Sequence, residues 1–408
     1  MRAFRAINLG RGSGNTDGPA GINSRLVGML LILGLVWIIL ELLTGGTFLS
    51  SRNLYNLAVQ VTVVAIMTTG MVLLIVARQI DLSIGSMLGF LSVAGAMTQT
   101  RLLHVDDAQT WWLALAAMLT AGAAIGAIQG ALVAYANIPA FVVTLGGLLF
   151  FRNAAYFINQ GETIAPLNET FQRLGGGTGG AIGPTWSWVF CVAALCFVLW
   201  LAVLRRRRQR RFGLVPRAVW LDVGLTSAAA AAIVAFTLVM NGYSNPKTGA
   251  AMGIPVPVIL LICVVGAMTV LAQHSRFGSH LFAYGGNPEA AKLAGVDTRF
   301  LILRAFALMG LLCGLAAAII SARLNAGASA TGTMLELSVI AAAVIGGTSL
   351  AGGVGRTSGA ILGALFMQSL ESGMILLGIS SPLQKMVLAL VLILAVWVDH
   401  RARKVVVT

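Results

Sequence analysis

Charged side chains are scarce in this sequence, at 10% of 408 residues. A soluble domain carries about 25% and would not keep its surface wet with so few. Acidic residues are scarcer than basic ones, 13 Asp and Glu against 27 Lys and Arg. Cysteine occurs only at Cys191, Cys196, Cys263 and Cys313. All four fall inside apolar runs without a CxxC pair or a histidine neighbour. They read as buried small hydrophobes, not as a disulfide or a metal site. No GxxxxGK[ST] sequence occurs, so if ATP drives this protein, another polypeptide binds it. HExxH and GxSxG are missing too, and the chain reads as non-catalytic, with no cofactor of its own. The histidines, His104, His274, His280 and His400, all fall outside the apolar runs. No series of buried acids and histidines is left to relay protons, which weighs against a proton-coupled symporter.

What the sequence has in quantity is apolar length. Hydrophobic residues make up 58% of it, in repeated runs of about 20, each long enough to cross a bilayer as a helix. About twelve such runs can be marked, near 26–43, 57–77, 82–98, 112–136, 139–158, 186–204, 218–240, 256–273, 301–321, 335–347, 358–377 and 384–398. The expected fold is all-α: a polytopic transmembrane helical bundle of about 10–12 spans. Residues 26–399 form the membrane domain, between tails at 1–25 and 400–408. The first run follows a polar, Arg-bearing stretch with no small-residue cleavage site, so it is expected to stay as a span.

The basic excess is unevenly placed. Twenty of the 27 Lys and Arg fall on one set of loops and tails, including Arg78, Arg205, Arg276, Lys292 and Arg356. Six fall on the other set (Arg52, Arg101, Arg173, Lys247, Arg323 and Lys385), and Arg152 sits within a span. The positive-inside rule then puts both termini in the cytoplasm. The run Arg205-Arg206-Arg207-Arg208-Gln209-Arg210-Arg211 is a topology anchor that touches anionic lipid, and no nucleic-acid partner is expected.

Glycines recur at fourfold spacing in Gly122-Gly126-Gly130, Gly355-Gly359-Gly363, Gly85-Gly89 and Gly310-Gly314, which gives a helix a flat groove for a close neighbour. The loop Gly175-Gly176-Gly177-Thr178-Gly179-Gly180 reads as flexible, not as a phosphate loop. Ionisable or amide side chains at or near membrane depth are Asp81, Arg152, Glu336, Gln368 and Glu371, candidates for a pathway or for packing. Glu371 follows Gln368 by one turn and should face the bundle or a water path.

One polar stretch interrupts two long apolar runs: residues 274–300. Within it Asn287 can cap a helix whose first position is Pro288, with Glu289 at its positive end. Ala290, Ala291, Leu293 and Ala294 give a small, partly apolar face, and Gly295-Val296 ends the segment. Such a helix between two spans is a handle for a soluble partner.

The run Gly285-Gly286-Asn287-Pro288-Glu289-Ala290-Ala291-Lys292-Leu293-Ala294-Gly295-Val296 resembles the cytoplasmic coupling segment of bacterial ABC sugar-import permeases of the ribose/xylose/galactoside class. Ile80-Asp81-Leu82-Ser83-Ile84-Gly85-Ser86, Phe141-Val142-Val143-Thr144-Leu145 and Ile345-Gly346-Gly347-Thr348-Ser349-Leu350-Ala351-Gly352-Gly353 match the same class in the same order. The hairpin at 186–240 resembles one carried by the xylose branch and lacking in the ribose type. Ser338 and Arg78-Gln79 depart from the usual pattern. The resemblance implies a monosaccharide permease, most like those for D-xylose, acting as a homodimer in the inner membrane. A separate ABC ATPase would dock on Gly286, Asn287, Pro288, Glu289, Ala290, Ala291, Lys292 and Gly295, and a periplasmic sugar-binding protein would deliver substrate. The alternative is an ion-coupled secondary sugar transporter.

Overall fold

A computed structural model describes residues 24–177, 179–211, 219–245 and 248–407. The N-terminal tail through residue 23, Thr178, Arg217 and Lys247 lie outside the described residues. In hydrocarbon a backbone must satisfy its own hydrogen bonds, so apolar runs become helices. The chain makes α1 (Ser24–Leu43), α2 (Ser51–Val76), α3 (Ile84–Met97), α4 (Thr110–Ala134) and α5 (Ala140–Asn159). A short α6 (Glu169–Gln172) precedes the hairpin α7 (Gly183–Arg211) and α8 (Val219–Asn241). Then come α9 (Val256–His274), α10 (Arg276–Gly286), α11 (Pro288–Leu293), α12 (Thr298–Leu324), α13 (Leu335–Ile345), α14 (Thr357–Leu376) and α15 (Ser381–Val407). Among the described residues the only extended pairing is three isolated bridges, Ile164 with Gly327, Ala181 with Pro255 and Ser244 with Ala251.

The bundle is built around α2. A helix apolar all round has no face to give to water, and 94% of this one's most apolar window is buried inside the protein. Its hydroxyls bond back to its own turns: Thr62 to Ala58 O, Thr68 to Val64 O, Thr69 to Ile66 O. Helices α12, α13, α14 and α9 pack around it.

The expected glycine grooves are helix contacts. A Cβ at Gly122 would strike the carbonyl of Gly310, and one at Gly310 the carbonyl of Gly122. Gly126 lies against Phe306 O and Gly314 against Met118 O, so α4 and α12 meet backbone to backbone. Gly359 and Gly363 of α14 do the same with Gly346 O just after α13 and Ala342 O within it, whereas Gly355 precedes α14 and meets the side chains of Val76, Val72 and Thr348. Gly85 and Gly89 differ. They receive the irregular segment after α12, at Gly332 O and Thr331 O, rather than a helix.

Eight helices among the described residues are long and apolar enough to cross a membrane, and α1 and α15 add the apolar stretches Val27–Leu43 and Ser381–Trp397. The reading of 335–347 as a full crossing is corrected. Helix α13 has 11 residues and rises only about 16 Å, against a hydrocarbon core of about 30 Å. Irregular backbone flanks it on both sides, which membrane depth tolerates where protein covers it. The hairpin α7–α8 stands at the periphery, with Trp186, Phe197, Trp200 and Trp220 exposed. Arg206 Nε and Asp222 Oδ2, 3.0 Å apart, join its two arms. Cys191 and Cys313 are buried as expected, but Cys196 and Cys263 lie on the outer surface of the bundle.

Loops gather at two ends. At one, the turns after α2 and α4 line a groove with α10 and α11, and the turn between α13 and α14 meets the ends of α2 and α10. At the other, Ile164 and Gly327 exchange backbone bonds of 3.0 and 2.9 Å, and Asn168 Nδ2 donates to Val105 O. The glycine-rich loop at this second end is not loose. Tyr55 Oη donates to Gly176 O at 2.9 Å, Val256 N donates to Gly180 O at 2.8 Å, and Gly175 abuts the backbone of Arg323. Composition alone pointed to flexibility; the buried tyrosine and close backbone contacts hold Gly175, Gly176 and Gly180.

Candidate functional site

The polar interruption forms two helices where one was expected. Ser275 ends α9 and caps α10, its Oγ accepting from Gly278 N at 3.0 Å. Gly278 has no room for a Cβ beside the carbonyls of Leu271 and Ala272, so the chain turns sharply there. Leu281 and Gly285 follow Gly278 on the buried face of α10. Asn287 then closes α10 and opens α11. Its N–H donates to Ala283 O at 3.0 Å, and its Oδ1 accepts from Glu289 N and Ala290 N, each at 3.1 Å. Pro288 stands at the first helical position and Gly295 leaves the helix at φ +81°. These capping features follow the sequence reading closely.

The facing of α11 does so except at one residue. Ala291, expected on a docking face, is 5% exposed and turned into the protein. The other three residues of that face, Ala290, Leu293 and Ala294, are exposed, Leu293 by 90%, with exposed Lys292 among them. A six-residue helix takes its phase from what it packs against, here the start of α12. Beside it runs an open groove of about 530 Å³, lined by Gln79, Asn137, Tyr284, Lys292, Asp297 and Arg299 among others. Asp297 caps α12 through Phe300 N at 3.0 Å, and the Arg299 guanidinium lies 6.0 Å from the Tyr135 ring centre.

The remaining candidates do not form one site. Asp81 is 1% exposed in the turn between α2 and α3, at the α11 end. Its Oδ1 accepts from Ser83 N at 2.8 Å and from Ser83 Oγ at 2.6 Å. Gln129 of α4 donates to that hydroxyl at 2.9 Å, Thr144 of α5 to Ile80 O at 3.3 Å, and Cys313 of α12 to Ile84 O at 3.3 Å. Three helices, α4, α5 and α12, are thereby tied to this turn and the first residue of α3. Burial pushes the Asp81 carboxyl up to about 6, against the pull of its Ser83 hydrogen bonds.

Arg152 of α5 reaches the segment between α12 and α13, donating to Ser329 O at 2.7 Å and Thr331 O at 3.3 Å. Glu336, at 6% exposure, packs against Gly85, and its Oε2 accepts no hydrogen bond. Such a carboxylate can take a hydroxyl donor, although here it is enclosed. Gln368 Nε2 donates to Glu371 Oε2 at 2.8 Å, and Lys385 Nζ lies 3.2 Å from Glu371 Oε1. Glu371 thus holds α14 to α15. Sequence reasoning singled out these groups by type but missed their partners. For Arg152 those partners are backbone carbonyls far away in the chain, whereas Asp81 bonds Ser83 two residues on and Glu371 bonds Gln368 on its own helix and Lys385 on the next.

This architecture, apolar helices around a buried central one with an exposed, capped short helix between two spans, is that of a multi-pass helical membrane protein. The chain belongs to the family described as branched-chain amino acid transport system / permease component, whose profile matches residues 53–396. It is 35% identical over 400 residues to the xylose transport system permease protein XylH of Escherichia coli strain K12, covering 96% of each chain. The xylose transport system permease protein of Haemophilus influenzae is 34% identical, over 94% of this chain and 98% of that one. The ribose import permease protein RbsC of Escherichia coli strain K12 is 32% identical, over 91% and 92%. No solved structure matches the chain. Like these relatives, it is a non-catalytic membrane component of a transport system.

Proposed function

We propose that this chain is the permease subunit of an ATP-binding-cassette importer that carries D-xylose across the bacterial inner membrane. Two copies form the pathway, a separate ATPase docks at the α11 end, and a periplasmic sugar-binding protein delivers substrate at the other. The observation that carries the reading is Leu293. It stands 90% exposed at the tip of a short helix capped at both ends, between two spans and among charged side chains, where a soluble partner can reach it. The Lys/Arg bias supports a cytoplasmic location for that end. Two pentose names among the relatives support a sugar as cargo, and the xylose relatives, at 35% and 34% against 32%, support xylose over ribose.

Discrimination between sugars rests with the binding protein in this scheme. The permease contributes a transient opening whose two states follow closure of the ATPase. ATP is bound by that partner, and this chain supplies the handle.

The test is Leu293→Arg in the full chain, coexpressed with the ATPase and binding protein. The variant is expected to insert and fold normally yet release the ATPase from the membrane and lose ATP-dependent uptake of labelled D-xylose. Full ATPase retention and uptake would overturn the docking role. Uptake driven by an ion gradient without the ATPase would overturn the importer class. Ribose competing as well as xylose would overturn the choice of sugar.

A further inference from the structure

At the α11 end three segments distant in sequence meet beside one exposed side chain. Arg78, just past α2, donates from Nε to Gly285 O at 2.7 Å and from Nη2 to Gly286 O at 2.9 Å. These are the last carbonyls of α10, which have no acceptor role within that helix. A guanidinium suits them twice over, since it offers two donors in a rigid fork and brings positive charge to a helix C-terminus. The third segment is the turn between α13 and α14. Gly353 N donates to Val76 O at 2.9 Å, and a Cβ on Gly352 would strike Arg78 Cγ. Gly285 has no room for a side chain beside Val76 O and Gly353 N. Arg78 itself sits at φ +60°, a conformation costly to any residue with a Cβ and kept only where the surroundings impose it.

We infer that Arg78 is a positioning residue for coupling: its grip on the Gly285 and Gly286 carbonyls transmits movement of α10–α11 into α2. This rests on the reading of α11 as the ATPase handle. Asn287 joins α11 to α10 with no intervening loop, so displacement of the handle moves the α10 terminus. Without Arg78 that terminus still abuts Val76, but contact alone transmits a push and not a pull. The two hydrogen bonds transmit both. Helix α2 is the element on which α12, α13 and α14 pack, so a pull delivered there reaches the whole bundle. Because Arg78 is exposed, its removal opens no core cavity.

The measurement is sugar accumulated per ATP hydrolysed, in proteoliposomes holding the permease, its ATPase and its binding protein. Arg78→Ala is expected to keep the ATPase bound and ATP hydrolysis running while the ratio falls about fivefold or more, the scale of a typical coupling free energy. Arg78→Lys, which keeps the charge but not the fork, is expected to fall between. A merely structural role would lower yield and leave the ratio of the folded protein unchanged. An unchanged ratio in Arg78→Ala overturns the inference, and if that variant is not recovered folded, an unchanged ratio in Arg78→Gln does so. Leu293→Arg, run in parallel, separates the two claims. Full coupling there overturns the docking reading beneath the inference, whereas lost coupling there with a normal ratio in Arg78→Ala overturns Arg78 alone.

Discussion

Replacing Gly126 by alanine adds one methyl group to a 408-residue chain, and the structure says what that methyl meets. A Cβ built there overlaps the carbonyl oxygen of Phe306, with its carbon at 2.9 Å and Ala307 Cα at 3.2 Å. These are backbone atoms of α12 and cannot swing aside. The two helices must separate by about 1 Å, and the reciprocal contacts at Gly122, Gly310 and Gly314 loosen with them. Overpacking of this kind costs about 1–3 kcal/mol, and Gly126→Leu should exceed the upper figure. A control lies in the same protein: a Cβ at Gly266 of α9 would meet nothing within 4 Å. There alanine should be neutral or stabilise by about 0.4–1 kcal/mol through the chain's lost freedom when unfolded. The assay is thermal unfolding in detergent, followed by size-exclusion recovery of the folded fraction. Gly126→Ala should melt below the wild type, Gly126→Leu should lower yield, and Gly266→Ala should do neither. If Gly126→Ala melts at the wild-type temperature, the α4–α12 contact is not as close as described and the packing argument fails.

Two further outcomes are expected. Cysteine labels at Gln209 should be shielded from an impermeant reagent applied outside while one at Gly177 is reached, and labelling of 209 from outside would reverse the orientation. Asp81 has its carboxyl raised from 3.8 to about 6, so the folded chain binds a proton more readily than the unfolded one. Its ionisation therefore opposes folding above pH 6, by at most about 3 kcal/mol, and that cost fades as pH falls toward 4. Lowering pH from 8 to 5 should raise the melting temperature, and Asp81→Asn should flatten that slope. Equal slopes in the two proteins would refute the buried ionisable role.

What the sequence showed and what it hid divide along a physical line. The helix contacts at Gly122, Gly126 and Gly310 were legible because a fourfold spacing of small residues has one geometric meaning on a helix. Asn287, Pro288 and Gly295 were legible because capping is local: donor and acceptor lie within three residues. The inward turn of Ala291 was not, since a six-residue helix has no periodicity to reveal its buried side. Arg78 was noticed only as an oddity, because its acceptors are glycine carbonyls about 200 residues onward. Carbonyls are present at every position and carry no mark in a sequence. The bond from Tyr55 to Gly176 O was hidden for the same reason, whereas around Asp81 only the bonds arriving from Gln129, Thr144 and Cys313 come from far along the chain.

Helix α2 is covered almost wholly by segments that come later in the chain. Of its neighbours α12, α13 and α14 the first starts at Thr298, about 220 residues after Val76, and at 5–20 residues per second a ribosome needs about 11–44 s to reach it. Throughout that interval the helix must stand in lipid with none of its eventual neighbours from α12 onward beside it. A core helix with a polar stripe, content once assembled, would be poorly held while waiting. The hydroxyls that bond back to its own turns and the apolar surface on every side suit both environments. They let the helix stay inserted first among lipid tails and then exchange those tails for protein.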